Sequence, residues 1–248
     1  MTASTVEEVQ ALKEIGRIVA TTVQEMKQSA RVGMTTLELD EIGGQVLSRY
    51  GAVSAPKVTY QFPGYTCISL NHDVAHGIPG SRKIKAGDLI NIDVSAQLNG
   101  FYADTGHSFQ MPPYDPALTR LCRYTHDTMM KVIHSLTHGV RVSEIGRLIE
   151  QEAANGGYKV IRNLCSHGIG RALHEPPTEI LPVFSKHEKR LLREGLVLTI
   201  EPFLSTGAEH VATQKDGWTL SVPDRSYVAQ HEHTIMITRG KPVIFTMV

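Results

Sequence analysis

Lys85-Ala-Gly-Asp-Leu-Ile-Asn-Ile-Asp93 has a counterpart later in the chain, Arg193-Glu-Gly-Leu-Val-Leu-Thr-Ile-Glu201. Each stretch runs from a glycine through a β-prone apolar segment and ends on a carboxylate, so the two predict equivalent strands. Two further segments, Gly33–Glu38 and Gly139–Glu144, lead into predicted helices at a similar offset along the chain. Matching landmarks in the same order favour a chain made of two related halves.

The motif His-Gly-Ile also occurs in each half, beginning at His76 and at His167. The separation between the histidine and the strand-ending carboxylate is twice as long in the second half, His167 to Glu201, as in the first, His76 to Asp93. The second half must therefore contain an inserted loop. We expect one domain over residues 1–248, with halves at about 1–112 and 113–248 that face each other across a shared centre.

Capping signals and apolar periodicity predict four long helices and a set of strands. The expected helices begin at Ser4 or Thr5, Thr35, Asp115-Pro116 and Ser143, and end near Ala30, Tyr50, Ser135 and Gly157. The expected strands are Leu89–Ala96, Phe101–Gln110, Leu196–Glu201, Ser226–Thr238 and Pro242–Thr246. A further short, solvated helix is predicted over Lys186–Arg193. This order of elements predicts an α+β fold.

The composition excludes several classes of partner. Lys plus Arg and Asp plus Glu both number 25, so no net charge attracts the chain to nucleic acid or to an anionic membrane. The N-terminal residues lack the pattern of a secretory signal, and no apolar stretch reaches the roughly 20 residues that cross a bilayer. Three cysteines without C-x-x-C spacing argue against a disulfide framework. We expect a cytoplasmic monomer.

A hairpin brings the first two acids together. Asn99-Gly100 lies between two strand patterns and is a strong signal for a two-residue turn. Pairing outward from this turn sets Ser95 opposite Asp104, and because side chains alternate along a strand, Asp93 shares their face. Two carboxylates therefore converge on one spot.

The later strands add Glu201, which precedes a proline, and Glu232. Four acids in one interior would repel each other and lose hydration, at a cost of several kcal/mol for each uncompensated ion. With His167 as a nitrogen ligand, this set suits a pair of divalent ions of the Mn, Fe, Co or Zn kind. Two ions about 3.5 to 4 Å apart would activate a water for hydrolysis.

Several strings distributed over nearly the whole chain resemble the type I methionine aminopeptidases, which have the pita-bread (creatinase/aminopeptidase) fold. These strings are Gly51–Pro56, Cys67–Asn71, His76–Pro79, Asn91–Ser95, Tyr102–Gly106, His167–Gly170, His174–Pro176, Ile200–Pro202 and Glu232–Thr234. The resemblance implies two pseudo-symmetric halves around a mixed, mostly antiparallel sheet with the metal site at its centre.

The resemblance also assigns roles. It implies that Asp93 chelates one metal, that Asp104 and Glu232 bridge both, and that His167 and Glu201 ligate the other. Glu201 would serve as general base for the attacking water.

The same resemblance implies substrate contacts. His76 and His174 would contact the scissile amide and its tetrahedral intermediate. A pocket lined by Tyr65, Cys67, Leu173 and Trp218 would receive the first side chain. The implied substrate is a nascent polypeptide that begins with methionine followed by a small residue, and association with the ribosome is expected.

Two other functions stay open at this point. One is a peptidase of the same fold that cleaves ahead of proline, although the separate N-terminal domain usual in such enzymes finds no room here. The other is a metal-free binding protein of the same fold, although such relatives have typically lost ligands and all five are present here.

Overall fold

A computed structural model describes all residues, 1–248. The helices are α1 (Val6–Ser29), α2 (Thr36–Arg49), α3 (Ala55–Tyr60), α4 (Pro116–Ser135) and α5 (Ser143–Gly156). The strands are β1 (Val53–Ser54), β2 (Cys67–Leu70), β3 (Asp73–Ala75), β4 (Leu89–Leu98), β5 (Phe101–Gln110), β6 (Lys159–Val160), β7 (Ser166–Gly168), β8 (Glu175–Ile180), β9 (Val197–Ile200), β10 (Phe203–Ser205), β11 (Ala212–Thr213), β12 (Leu220–Ser221), β13 (Val228–Gln230), β14 (His233–Met236) and β15 (Val243–Ile244). None of the helices has both the length and the apolar character needed to cross a membrane.

The four predicted long helices are confirmed, with only small differences at their ends. Thr5, rather than Ser4, caps α1: its side chain accepts from the Glu8 N–H, and the Glu8 carboxylate accepts from the Thr5 N–H. Thr35 and Glu38 form the same capping box at α2. Both boxes satisfy N–H groups that the first turn of a helix leaves free.

The first half places α1 and α2 against a sheet in which β4 pairs with β5 along its whole length and with β1 and β2 on its other edge. Asn99 and Gly100 both have positive φ, +52° and +79°, as a two-residue type I′ turn requires. Ser95 lies opposite Asp104, so the predicted register is confirmed. The apolar face of β4 is fully buried against α1.

The second half repeats the pairing in a broken form. Strand β9 pairs with β7 and β14, whereas β10 pairs with β6 and β13. The single strand predicted over Ser226–Thr238 is wrong, because the chain interrupts it at His231 and Glu232 between β13 and β14. The strand is broken there because its two parts pair with different strands: β13 pairs with β10, and β14 pairs with β9.

The short helix predicted over Lys186–Arg193 is also wrong. Leu191 forms a bridge with Arg141, and the Leu192 N–H donates to the Val140 carbonyl at 2.8 Å. Extended pairing with the segment ahead of α5 satisfies the backbone groups that a helix would have paired internally.

A seam of hydrogen bonds joins the two halves. The Thr234 hydroxyl donates to the Asp104 carbonyl at 2.8 Å and accepts from the Asp104 N–H at 2.9 Å. The Thr105 hydroxyl donates to the Glu232 carbonyl at 2.7 Å, and the Glu232 N–H donates to the Gly106 carbonyl at 2.9 Å. This seam, defined by Asp104, Thr105, Gly106, Glu232 and Thr234, fixes acids of both halves beside each other.

Candidate metal centre

One cavity of about 370 Å³ lies between the two halves. Ten of the eleven site residues predicted from the sequence line it, and Tyr65 is the exception. The ten are Cys67, His76, Asp93, Asp104, His167, Leu173, His174, Glu201, Trp218 and Glu232. The structure thus brings the predicted ligands of both halves into one space.

The β4–β5 hairpin supplies Asp93 and Asp104. Asp93 lies opposite Gly106, next but one to the Ser95–Asp104 pair, so the two carboxylates are diagonal neighbours on one face. Asp104 is 6% exposed. The apolar residues that alternate with them pack in the core on the opposite face of the strand, so both carboxylates face the cavity.

The second half places His167 and Glu201 side by side. His167 lies in β7, and its Nδ1 is 3.0 Å from the Gly168 carbonyl oxygen, an arrangement in which Nδ1–H donates and Nε2 keeps its lone pair. Nε2 is 3.6 Å from Oε1 of Glu201. The Thr199 hydroxyl, which accepts from the His167 N–H at 3.1 Å, donates to the same Oε1 at 2.8 Å.

Glu232 is held from behind by a relay of amides. The Gln230 amide donates to Oε2 of Glu232 at 3.0 Å, and the Asn91 amide donates to Oε1 of Gln230 at 2.7 Å. The relay fixes one carboxylate oxygen of Glu232 and leaves Oε1 directed elsewhere. Buried amide relays of this kind orient ligands.

The buried carboxyl groups of the cavity repel one another, and a bound cation would offset this repulsion. Burial raises the pKa of Asp93 well above its usual range, and the adjacent Asp104 carboxylate raises it further. Burial, with repulsion from neighbouring acids, also raises the pKa of Glu201 and Glu232. Burial lowers the pKa of His167 to about 3, so its imidazole is neutral, the form that binds metals.

Two buried oxygens identify where a cation fits. Oδ1 of Asp104 and Oε1 of Glu232 have no hydrogen-bond partner, although both residues are almost fully buried. One ligand atom from each of these residues and one from His167 lie within 4.8 Å of one another. Because unpaired buried carboxylate oxygens are costly, the residues present fit divalent cations.

Two more histidines stand at the cavity. His76 has a left-handed backbone with φ of +53°, a conformation that residues other than glycine adopt in only a few per cent of cases. The His174 ring packs on His167 with 4.0 Å between centroids. The Tyr60 hydroxyl lies 2.8 Å from Nδ1 of His174, a contact that the sequence reasoning missed.

The apolar wall differs from the predicted pocket. Tyr65 is exposed and lies under the Lys57 ammonium, 3.7 Å from its ring centroid, so it is removed from the pocket. Phe62 takes its place and meets Trp218 edge to face, with 5.2 Å between centroids.

The unpredicted helix α3 causes this exchange of aromatic residues. It ends at Tyr60 and directs Tyr60 and Phe62 to the cavity. Ser54 ahead of Pro56 is an N-cap and first-turn proline signal that could have indicated it.

Comparisons with known proteins agree with this geometry. The sequence model of a family described as "Metallopeptidase family M24" matches residues 10–239. "Methionine aminopeptidase 2" of Bacillus subtilis is 48% identical over 97% of this chain and 97% of its own length. "Methionine aminopeptidase" of Escherichia coli strain K12 is 36% identical over 98% of this chain and 92% of its own. The crystal structure of methionine aminopeptidase from Thermotoga maritima superposes with a TM-score of 0.95 at 31% identity, and each chain covers 100% of the other.

The fold and the family match together identify the chain as a metallopeptidase. Membership of this family implies that the protein uses a divalent metal. The predicted pita-bread fold is confirmed by the superposition. The chain belongs to metallopeptidase family M24 and, within it, to the methionine aminopeptidases.

Proposed function

We propose that this chain hydrolyses the first peptide bond of nascent polypeptides and peptides that begin with methionine, and that it favours a small second residue. The names of the relatives support this substrate. The observation that carries the proposal is the pair of unpartnered, buried oxygens of Asp104 and Glu232 beside His167. Such a set suits metal-assisted hydrolysis and leaves a metal-free binding protein with an unexplained electrostatic cost.

Five side chains would hold two divalent ions. Asp93 would hold one ion, His167 and Glu201 would hold the other, and Asp104 and Glu232 would serve as ligands to both. Mixed oxygen and nitrogen ligands suit Co, Mn, Fe or Zn. When bound, such ions act as Lewis acids and lower the pKa of water toward neutrality.

Glu201 is the proposed general base. Its Oε1 accepts from the Thr199 hydroxyl, which fixes the orientation of the carboxylate. A carboxylate held in this way could accept a proton from the attacking water and return it to the departing amine.

His76 and His174 are the proposed contacts to the scissile amide. The Tyr60 hydroxyl lies 2.8 Å from Nδ1 of His174, and we assign the hydroxyl as the donor. The ring proton would then lie on Nε2, which could donate to the oxygen that becomes negative during hydrolysis. Because its hydroxyl contacts His174, we assign Tyr60 as a positioning residue.

Cys67, Phe62, Leu173 and Trp218 would receive the methionine side chain. They form an apolar wall of the cavity, and a flexible thioether packs readily against aromatic edges and aliphatic groups. The cavity volume of about 370 Å³ lies at the small end of ligand pockets, which supports a substrate that inserts only its first residue.

The proposal also includes the domain organisation, the oligomeric state, the location and the partners of the protein. Residues 1–248 would act as a single catalytic domain with halves at about 1–112 and 113–248. The protein would work as a cytoplasmic monomer near the ribosome, without a nucleic-acid or membrane partner. The even balance of acidic and basic residues supports the absence of a polyanionic partner.

Cleavage of short peptides tests the proposal. Met-Ala-Ser should lose its methionine in the presence of cobalt or manganese, chelator should stop the reaction, and Ala-Pro-Ser should stay intact. Glu201→Gln should lower kcat by about 10²- to 10⁴-fold, the usual contribution of a general base, whereas Glu14→Gln, the same change at an exposed helix position, should not. Unchanged cleavage by the Glu201→Gln protein would overturn the mechanism.

A further inference from the structure

A second cleft, of about 620 Å³, lies among α1, β5 and α4. It shares no lining residue with the metal cavity. His107 lines this cleft and stands three positions after Asp104 on β5, so the two side chains point to opposite faces of the strand. The cleft is therefore a separate space on the face that the helices cover.

The walls of this cleft carry positive charge without a matching acid. The cations are Lys27 and Arg123, and no Asp or Glu lines the cleft. Three histidines, His107, His126 and His231, line it as well, and burial lowers the pKa of His107 and of His231, so these two rings are neutral. Lys27 forms no ion pair in the structure, and Arg123 has only Asp127 at 3.8 Å, a residue whose side chain is 62% exposed. Neither cation is neutralised inside the cleft.

The contacts of the histidines favour an anion over a metal ion. The Lys27 ammonium lies 2.9 Å from Nε2 of His107, so it donates to that nitrogen and occupies the lone pair that a metal would need. The His107 and His126 rings flank His231, with centroids 4.5 and 5.4 Å from it. A cation entering this group would meet the Lys27 charge, whereas an anion would be attracted by it.

One polar atom in the wall is unsatisfied. His231 is 3% exposed, and its Nε2 has no hydrogen-bond partner. A buried nitrogen without a partner is uncommon in folded proteins and points to an absent ligand or water.

Part of the remaining wall is apolar, beside the polar side chains of Ser108, Gln110 and Thr119. Phe109, Met111, Tyr114 and Cys122 line the cleft beside the charged groups. The Lys27 ammonium also lies 5.5 Å from the Phe109 ring centroid. The cleft thus offers cationic groups that can orient an anion and aromatic and aliphatic side chains that can contact an apolar body.

We propose that this cleft binds a small organic anion, with its phosphate or carboxylate group between Lys27 and Arg123 and its apolar body against Phe109 and Met111. The site is distinct from the metal cavity, because the two have no wall residue in common. It does adjoin the seam, since His107 follows Gly106 and His231 precedes Glu232. A bound anion would therefore contact residues next to those that fix Glu232.

Isothermal titration of the metal-loaded protein with phenyl phosphate and with benzoate tests the site. Both should bind saturably, and neutral phenol should bind at least tenfold more weakly. Lys27→Gln and Arg123→Gln should each raise Kd about tenfold, the effect of losing one charge-assisted contact. Lys13→Gln, the same change elsewhere on α1, should leave Kd unchanged.

Two results would overturn the proposal. Phenyl phosphate that binds Lys27→Gln and Arg123→Gln as tightly as the unaltered protein is binding elsewhere, for example at the metals. Phenol that binds as tightly as phenyl phosphate shows an apolar cleft without anion recognition. Both variants change exposed side chains, and a thermal melt close to that of the unaltered protein verifies that they are folded.

Discussion

The first half carries its two acids on an unbroken hairpin, whereas the second half carries its acids where strands are interrupted. Asp93 and Asp104 lie within long, continuous strands. Glu201 lies between β9 and β10, and Glu232 lies between β13 and β14, where the chain changes partner strand. In the first half, the alternation of side chains along a strand sets the direction of the carboxylates. In the second half, each carboxylate lies at a position where one strand has ended and the next has not begun.

This difference shows what each half requires from the other. The hairpin fixes its acids through its own register and its buried apolar face. The backbone around Glu232 lacks a continuous ladder and instead bonds to Thr105 and Gly106 of the first half. The second half therefore depends on the seam for the geometry of Glu232, whereas Glu201 is held by Thr199 and Ser166 of its own half.

Removing the Thr234 hydroxyl should weaken the seam, and we expect it to lower the free energy of unfolding more than any other substitution considered below. Thr234→Val keeps the shape of the side chain but leaves the buried N–H and carbonyl of Asp104 without their partner. We expect a loss of about 3 kcal/mol, since each unsatisfied buried group costs about 1–3 kcal/mol. Urea unfolding of the metal-loaded protein measures this change.

Thr125→Val is the matched control. Thr125 is equally buried, but its hydroxyl donates only to the Leu121 carbonyl within α4, so we expect a change below about 1 kcal/mol. Equal losses in the two variants would show that the seam has no special part in stability.

Replacing the glycine of each His-Gly-Ile motif by alanine tests whether the two motifs are structurally equivalent. A Cβ at Gly77 would approach the Ile68 carbonyl oxygen to 2.2 Å, and one at Gly168 would approach the Glu175 carbonyl oxygen to 2.5 Å. Both contacts are with backbone, so we expect each variant to lose about 2 kcal/mol by overpacking. Gly80→Ala, where no atom lies within 4 Å, should be close to neutral in the same unfolding assay. A large loss at only one of the two motifs would show that they are not equivalent.

The Tyr60–His174 contact crosses from the first half to the second and should have the smallest effect. Tyr60→Phe removes the hydroxyl at Nδ1, and we expect kcat to fall about tenfold with little change in KM, as for other groups that orient a functional histidine. Tyr65→Phe should change neither constant, because Tyr65 lies outside the cavity. A rise in KM alone in Tyr60→Phe would indicate a role in substrate binding.

Local signals predicted the first half well. The Thr5–Glu8 capping box, the Asn99-Gly100 turn and the Ser95–Asp104 register depend on residues close in sequence, and the structure has all of them. Each is decided by backbone propensity and alternation, which a short window of sequence contains.

Tertiary pairing decided what the sequence reasoning did not predict. The break at Glu232 arises because β13 pairs with β10 whereas β14 pairs with β9. These partner strands lie well outside any short window of sequence around Glu232. The exchange of Tyr65 for Phe62 depends on how the short helix α3 is oriented against the cavity. The five candidate metal ligands were predicted as a set and line one cavity, and their role as ligands stays a prediction.

Anomalous diffraction from crystals grown with manganese tests the central claim most directly, that buried carboxylates from both halves share a cavity because divalent cations neutralise them. We predict two manganese peaks, both in contact with oxygens of Asp104 and Glu232, the residues whose free oxygens are unpartnered in the cavity. Carboxylates that contact only water or a lysine, with no manganese between them, would contradict the account.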